Sequence, residues 1–104
     1  MPARDVLTLL STAVAATGDT FPMNVNGPAR FEASLAGTNT VTATVIIEGT
    51  NTPTVSTSWL TENTLTLSGT TTAHDGFSSA SVYPFIRGRV SVMSATSAIV
   101  TASL

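Results

Sequence analysis

Residues able to perform catalysis are few in this chain of 104 residues, which has one histidine and no cysteine or lysine. That histidine lies in the triplet His74-Asp75-Gly76. A histidine beside an aspartate could form part of a Ser-His-Asp arrangement, in which the imidazole acts as a general base. Adjacent residues on a turn rarely face each other, however, and Asp-Gly is a common turn pair. We therefore expect a structural turn here and no catalytic residues.

The sequence also has few residues in patterns that bind a metal or a cofactor. The six carboxylates are scattered along the chain: Asp5, Asp19, Glu32, Glu48, Glu62 and Asp75. They lack the alternating spacing of a calcium-binding loop, and a single histidine without cysteine cannot complete a zinc centre. The phosphate-binding pattern Gly-x-x-x-x-Gly-Lys does not occur. The sequence predicts no metal, no cofactor and no enzymatic activity.

The surface composition indicates a protein that is covered by neighbours. Charged residues make up 10% of the chain and the net charge is -2, whereas there are 20 threonines and 12 serines. Such a charge predicts binding neither to nucleic acid nor to a membrane. Soluble monomers carry about a quarter charged residues, and lysine on exposed strands discourages edge-to-edge pairing. We therefore expect a homo-oligomer, a dimer or trimer, although a compact secreted domain could share this composition.

Most of the chain shows the two-residue alternation of β-strands, with turn-forming residues between the strands. The residues expected to face the core are Phe31, Ala33, Leu35, Val41, Ala43, Val45, Ile47, Val55, Thr57, Trp59, Leu65, Leu67, Val82, Ile86, Val90, Val92, Ala98, Val100, Ala102 and Leu104. Tryptophan is common in the cores of such domains, so core burial is the favoured interpretation of Trp59 and a sugar-binding aromatic the alternative. No crossover is long enough for the helix of a parallel fold.

This pattern predicts an all-β fold, a single antiparallel β-sandwich or jelly-roll-like domain of about seven or eight strands. Residues 17–104 form the predicted β-sandwich domain, beginning with a proline- and glycine-containing connection over residues 17–28. Residues 1–16 form a predicted N-terminal strand or docking arm, with a short helix over residues 6–16 as the alternative. Residues 6–16 are mostly apolar but are interrupted by hydroxyl-bearing side chains. They are too few to span a bilayer, and they match a signal peptide poorly.

Two groups of residues are candidates for a partner interface. In the N-terminal segment, Val6, Leu7, Leu9 and Leu10 form an apolar run that is difficult to leave in water. In the late strand, alternation places Tyr83, Phe85, Arg87, Arg89 and Met93 opposite the expected core face. Aromatic residues and arginine are enriched at the centres of interfaces. The alternative is that the two aromatics pack under a loop while the arginines lie in water.

The C-terminal half, over roughly residues 55–104, contains the features on which a resemblance to a known class of proteins rests. It contains Trp59, residues 64–70 (TLTLSGT), residues 82–92 (VYPFIRGRVSV) and residues 98–102 (AIVTA). In these features the chain resembles small β-sandwich virion proteins of tailed bacteriophages, including capsid cement or decoration proteins. The resemblance implies a non-enzymatic subunit that binds the major capsid protein on the outside of the shell and reinforces it.

Three functions remain open at this stage. The first is a capsid cement or decoration protein on the virion surface. The second is another virion component, such as a head-tail, tail or fibre subunit. The third is a carbohydrate-binding or adhesive β-sandwich, which needs an exposed aromatic platform.

Overall fold

The computed structural model describes residues 6–22, 29–79, 83–95 and 97–103. In this part of the chain there are seven strands and no helix. The strands are β1 (Val6–Thr12), β2 (Ala16–Thr17), β3 (Phe21–Pro22), β4 (Ala29–Thr50), β5 (Leu60–Ser79), β6 (Phe85–Ser94) and β7 (Ser97–Ser103). All their pairings are antiparallel and belong to one sheet. The predicted all-β antiparallel domain is therefore confirmed.

The two longest strands are bent rather than straight. β4 has 22 residues, which would extend about 70 Å at roughly 3.3 Å per residue, yet the molecule measures 40 × 38 × 17 Å. The bend lies where residues 37–39 of β4 interrupt the register opposite Thr71 of β5. Thr71 has a φ of 65°, a left-handed conformation that strains a β-branched residue. The sheet therefore curls on itself into two halves.

With β2 and β3 counted as one segment, since both pair with β6, the bends give eight strand segments with a nested pairing. Half-sheet A consists of β1, β7, residues 29–36 of β4 and residues 72–79 of β5. Half-sheet B consists of β2, β3, β6, residues 40–50 of β4 and residues 60–70 of β5. The first segment pairs with the last, the second with the seventh, the third with the sixth and the fourth with the fifth. This is the pairing order of a jelly roll; a division into the two separate sheets of a sandwich stays a prediction.

The core lies on the inner face of the curled sheet. Seven alternate residues of β4 are buried together: Phe31, Ala33, Leu35, Val41, Ala43, Val45 and Ile47. They pack with Leu65, Leu67, Ile86, Val90 and Val100, all expected in the core, and with Leu9. A β-carbon at Gly88 would lie 3.3 Å from Val100 Cγ1 and 3.4 Å from Leu9 Cβ, so the two halves are in direct contact there.

Four expectations about local structure are wrong. Residues 51–59, with Val55 and Trp59, form turns rather than a strand. Residues 74–76 lie within β5 rather than on a turn, and residues 17–28 include part of β2 and all of β3. Val92 is 60% exposed while Met93 packs on the core, because the register shift between Thr44 and Val45 reverses the alternation of β6. Val82 and Leu104 lie outside the described residues, as do the side chains of Ala98 and Ala102.

Candidate interaction site

The shortest ion pair among the described residues joins the two central strands of half-sheet B. Glu48 of β4 and Arg87 of β6 are directly opposite each other, on the outer face of the sheet. Arg87 Nε donates to Glu48 Oε1 at 2.7 Å, and the Glu48 side chain is only 9% exposed. A carboxylate withdrawn from water needs such a partner, because an uncompensated buried charge is costly. The pair is therefore a fixed part of the fold.

Arg87 is also held from its other side. Its guanidinium carbon lies 4.1 Å from the centroid of the Trp59 ring, a cation–π contact. Trp59 is placed there by residues 51–59, whose turns are closed by the Ser58 hydroxyl: it contacts Thr50 Oγ1 at 2.7 Å and the carbonyls of Thr52 and Val55 at 2.8 Å. Trp59 is therefore half-buried on the outer face, and its expected place in the core is wrong.

Arg89 completes this arginine cluster, which consists of Glu48, Trp59, Arg87 and Arg89. One of its terminal nitrogens lies 3.5 Å from Glu48 Oε2, and its side chain is 33% exposed. Its Nε is buried and has no hydrogen-bond partner among the described residues. Two guanidinium groups thus share one carboxylate, which leaves the cluster with one net positive charge. The cluster can accept a further carboxylate or carbonyl oxygen.

A second charged group lies on the outer face of half-sheet A and is much more open. Arg30 Nε and His74 Nε2 each lie 3.6 Å from Glu32 Oε1, with the Arg30 and His74 side chains 48% and 61% exposed. Asp75 accepts a hydrogen bond from the Gly76 N–H at 2.8 Å. Successive strand residues point to opposite faces, so His74 and Asp75 do not face each other as a catalytic pair would.

The N-terminal interface candidates belong to the domain's own sheet. β1 pairs with β7, with Val6 opposite Ser103 and Leu7 opposite Ala102. Leu9 is 3% exposed, and Leu10 packs partly against the core. Leu9 therefore belongs to the domain's own core, because β1 is an edge strand that pairs with β7 of the same chain. This pairing is the outcome that competes with a docking arm, and a partner contact of the segment stays a prediction.

The late-strand candidates are only partly brought together. Phe85 lies opposite Thr50 on the same outer face as the two arginines and is half-buried. Tyr83 instead packs on Gly49, where an added β-carbon would lie 2.5 Å from its ring. Sequence reasoning missed Glu48 and Trp59, the partners of Arg87. An available signal was Glu48 itself, a lone carboxylate directly after the apolar run Val45–Ile46–Ile47.

Within residues 6–22, 29–79, 83–95 and 97–103, no group of three histidine or acidic side chains is placed to hold a metal ion. The same residues contain no helix long and apolar enough to cross a membrane. No model of a known protein family matches the chain, and no curated protein matches it either. Function must therefore be inferred from the geometry of the chain itself.

Proposed function

We propose that this chain is a non-enzymatic virion structural protein, a capsid cement or decoration protein that binds the major capsid protein on the outer surface of a phage shell. The observation that carries the proposal is the arginine cluster. It presents the fixed guanidinium of Arg87 beside the partly exposed side chain of Arg89 on a surface rich in hydroxyl groups. The alternative within the same class is a head-tail, tail or fibre subunit.

The cluster has the properties of a binding site. Arg87 is fixed between a buried carboxylate and an aromatic ring, so little side-chain entropy is lost when a partner docks nearby. The Arg89 side chain beside it is 33% exposed and shares the same carboxylate. Arginine held in this way is enriched among the residues that dominate interface energies. No thiol, lysine or second histidine is available in the chain to act on a bound molecule, which supports docking over catalysis.

The strand order gives independent support by analogy. Jelly rolls recur among viral capsid domains and lectins, although a fold alone does not assign a function. The lectin-like alternative needs an exposed aromatic platform. All six aromatic residues of the chain lie in its described part, and none is exposed: Phe21, Phe31, Trp59, Phe77, Tyr83 and Phe85. This burial favours a virion subunit over a carbohydrate-binding module.

The location of the protein tests this proposal. Lysate of the cells that produce the chain is separated on a density gradient, and an antibody against the purified chain is used for blotting and for gold labelling of the particles. A cement protein is expected in the particle fractions, with gold distributed over the whole shell. Gold confined to tails or to one vertex would support the alternative, and chain found only as free protein would contradict both.

A matched pair of variants tests the site. Arg89→Gln removes the partly exposed positive charge of the cluster, whereas Arg30→Gln removes an exposed arginine from the other half of the sheet. Arg89→Gln is expected to weaken binding to chain-free shells about tenfold or more, equivalent to about 1.4 kcal/mol, with little change in melting temperature. Arg30→Gln should bind normally. Equal binding by both variants would remove the arginine cluster from the interface.

A further inference from the structure

Among the described residues, β5 lies at an edge of the sheet and has a strand partner on one side only. β5 pairs with β4 over its whole length, and no other described strand pairs with it. Long exposed edges are normally blocked by lysine or proline. The 20 residues of β5 contain neither. An edge of this kind can accept another strand, because its main-chain groups point outward in register.

The segment of β5 from residue 63 to residue 70 is uncharged and strictly two-faced. Leu65 and Leu67 are buried on the inner face, whereas Thr64, Thr66 and Ser68 are exposed on the outer face. The neighbouring segment of β4 has the same character, with Thr44 opposite Thr66 and Thr42 opposite Ser68. A strand added at this edge must therefore present apolar residues inward and small hydroxyls outward. A second copy of the same segment meets both requirements.

We infer that two copies of this chain pair antiparallel through the β5 edge, about a twofold axis at Thr66. In this register Thr66 faces its own copy, Leu65 faces Leu67 and Thr64 faces Ser68. A shift by one residue would place leucines opposite threonines and reverse the faces. A shift of the axis to Leu65 or Leu67 would leave a leucine opposite Asn63 or Gly69. Of the registers compared, only the one with its axis at Thr66 places each leucine opposite another leucine.

Charge favours the same segment of the edge. About the Thr66 axis, Glu62 of one copy falls opposite Thr70 of the other, so no like charges meet. Residues 72–79 of the same strand are less suited to self-pairing, because Asp75 lies in their middle and would approach its own copy. The dimer therefore uses half-sheet B and leaves half-sheet A free. This inference does not depend on the proposed virion function.

Cysteine cross-linking tests the register cleanly, because the natural chain has no cysteine. Thr66→Cys places two thiols opposite each other, at the roughly 4.5–5.5 Å Cα separation of paired strand residues that a disulfide can span. Ser68→Cys is the matched control on the same face; its two copies lie four residues out of register, about 13 Å apart. Oxidation should yield disulfide dimers of the first variant at least tenfold faster. An equal mixture of Thr64→Cys and Ser68→Cys should give the mixed dimer.

Sedimentation measures the same contact without chemical modification. At micromolar concentration the natural chain is expected at twice its 10.6 kDa mass. Thr66→Lys, which places two ammonium groups face to face at the axis, should raise the dimer dissociation constant at least tenfold. Thr42→Lys, on the same face of central strand β4, should remain dimeric. A natural chain that sediments as a monomer or a trimer, or equal cross-linking at positions 66 and 68, would overturn the inference.

Discussion

Replacing Arg87 by methionine removes the partner of a buried carboxylate while keeping an unbranched side chain against Trp59. Glu48 then stays 9% exposed, with Arg89 at 3.5 Å as its remaining counter-charge. Breaking a fully buried ion pair costs about 3–5 kcal/mol. Because Arg87 itself is 24% exposed and Arg89 compensates in part, we expect a loss of about 2–3 kcal/mol. For a domain of this size that lowers the melting temperature by about 10–20 °C.

Arg30→Met is the matched control for this experiment. Arg30 lies 3.6 Å from Glu32, and both side chains are well exposed at 48% and 35%. Exposed pairs contribute about 0.2–1 kcal/mol, so this variant should lose less than about 1 kcal/mol. Urea unfolding followed by far-UV circular dichroism measures both variants with the same signal.

A third variant separates the ion pair from general damage to packing. Replacing both partners, Glu48→Leu with Arg87→Met, removes the buried carboxylate together with its closest counter-charge and leaves Arg89, whose side chain is 33% exposed, in contact with solvent. Apolar replacement of a buried pair is often neutral or stabilising. The double variant should therefore recover most of the stability lost by Arg87→Met. If Arg87→Met costs no more than Arg30→Met, or if the double variant is the least stable of the three, the assigned role of Glu48 is refuted.

Three further predictions concern the bends and the N-terminal strand. Thr71→Asn should stabilise the fold by about 0.5–1 kcal/mol in thermal unfolding, because asparagine tolerates the positive φ of this position better than a β-branched residue; a destabilised variant would contradict the strain. Gly69→Ala should lose about 2 kcal/mol or more, since its β-carbon would lie 2.1 Å from the Thr72 carbonyl oxygen; unchanged urea unfolding would argue against this close approach. Deleting residues 1–10 removes most of β1 and the buried Leu9, so calorimetry should lose the cooperative transition; a folded remnant that only fails to bind would restore the docking arm.

Alternation of apolar and hydroxyl residues was enough to predict the fold class and most of the core. β4 shows why: its inner positions remain in phase on both sides of the bend, from Phe31 through Ile47. A strand buried on one face has no freedom to slip by one residue without exposing its apolar set. The bend itself was not predictable, because Gly37, Thr38 and Asn39 have the composition of a turn that ends a strand, whereas the chain continues through them as one bent strand.

The candidate site was predicted only in part, because it depends on pairing between distant strands. Arg87 and Arg89 were recognised from their residue type, but their shared contact with Glu48 requires the register of β4 against β6. The bulge at Ser91 had no clear signal in the sequence, and it exchanges the predicted faces of Val92 and Met93. Trp59 was misplaced for a similar reason: the turns of residues 51–59 hold it on the outer face against Arg87.

Direct imaging of the particles is the measurement that tests the proposed function most directly. Particles that contain the chain are purified and reconstructed by electron cryo-microscopy with and without icosahedral symmetry. We expect density of the size of this domain repeated on the outer surface of the shell, with the outer face of half-sheet B and its Arg89 against the major capsid protein. Density for the chain confined to the tail or to a single vertex, with none on the rest of the shell surface, would contradict the assignment as a cement protein.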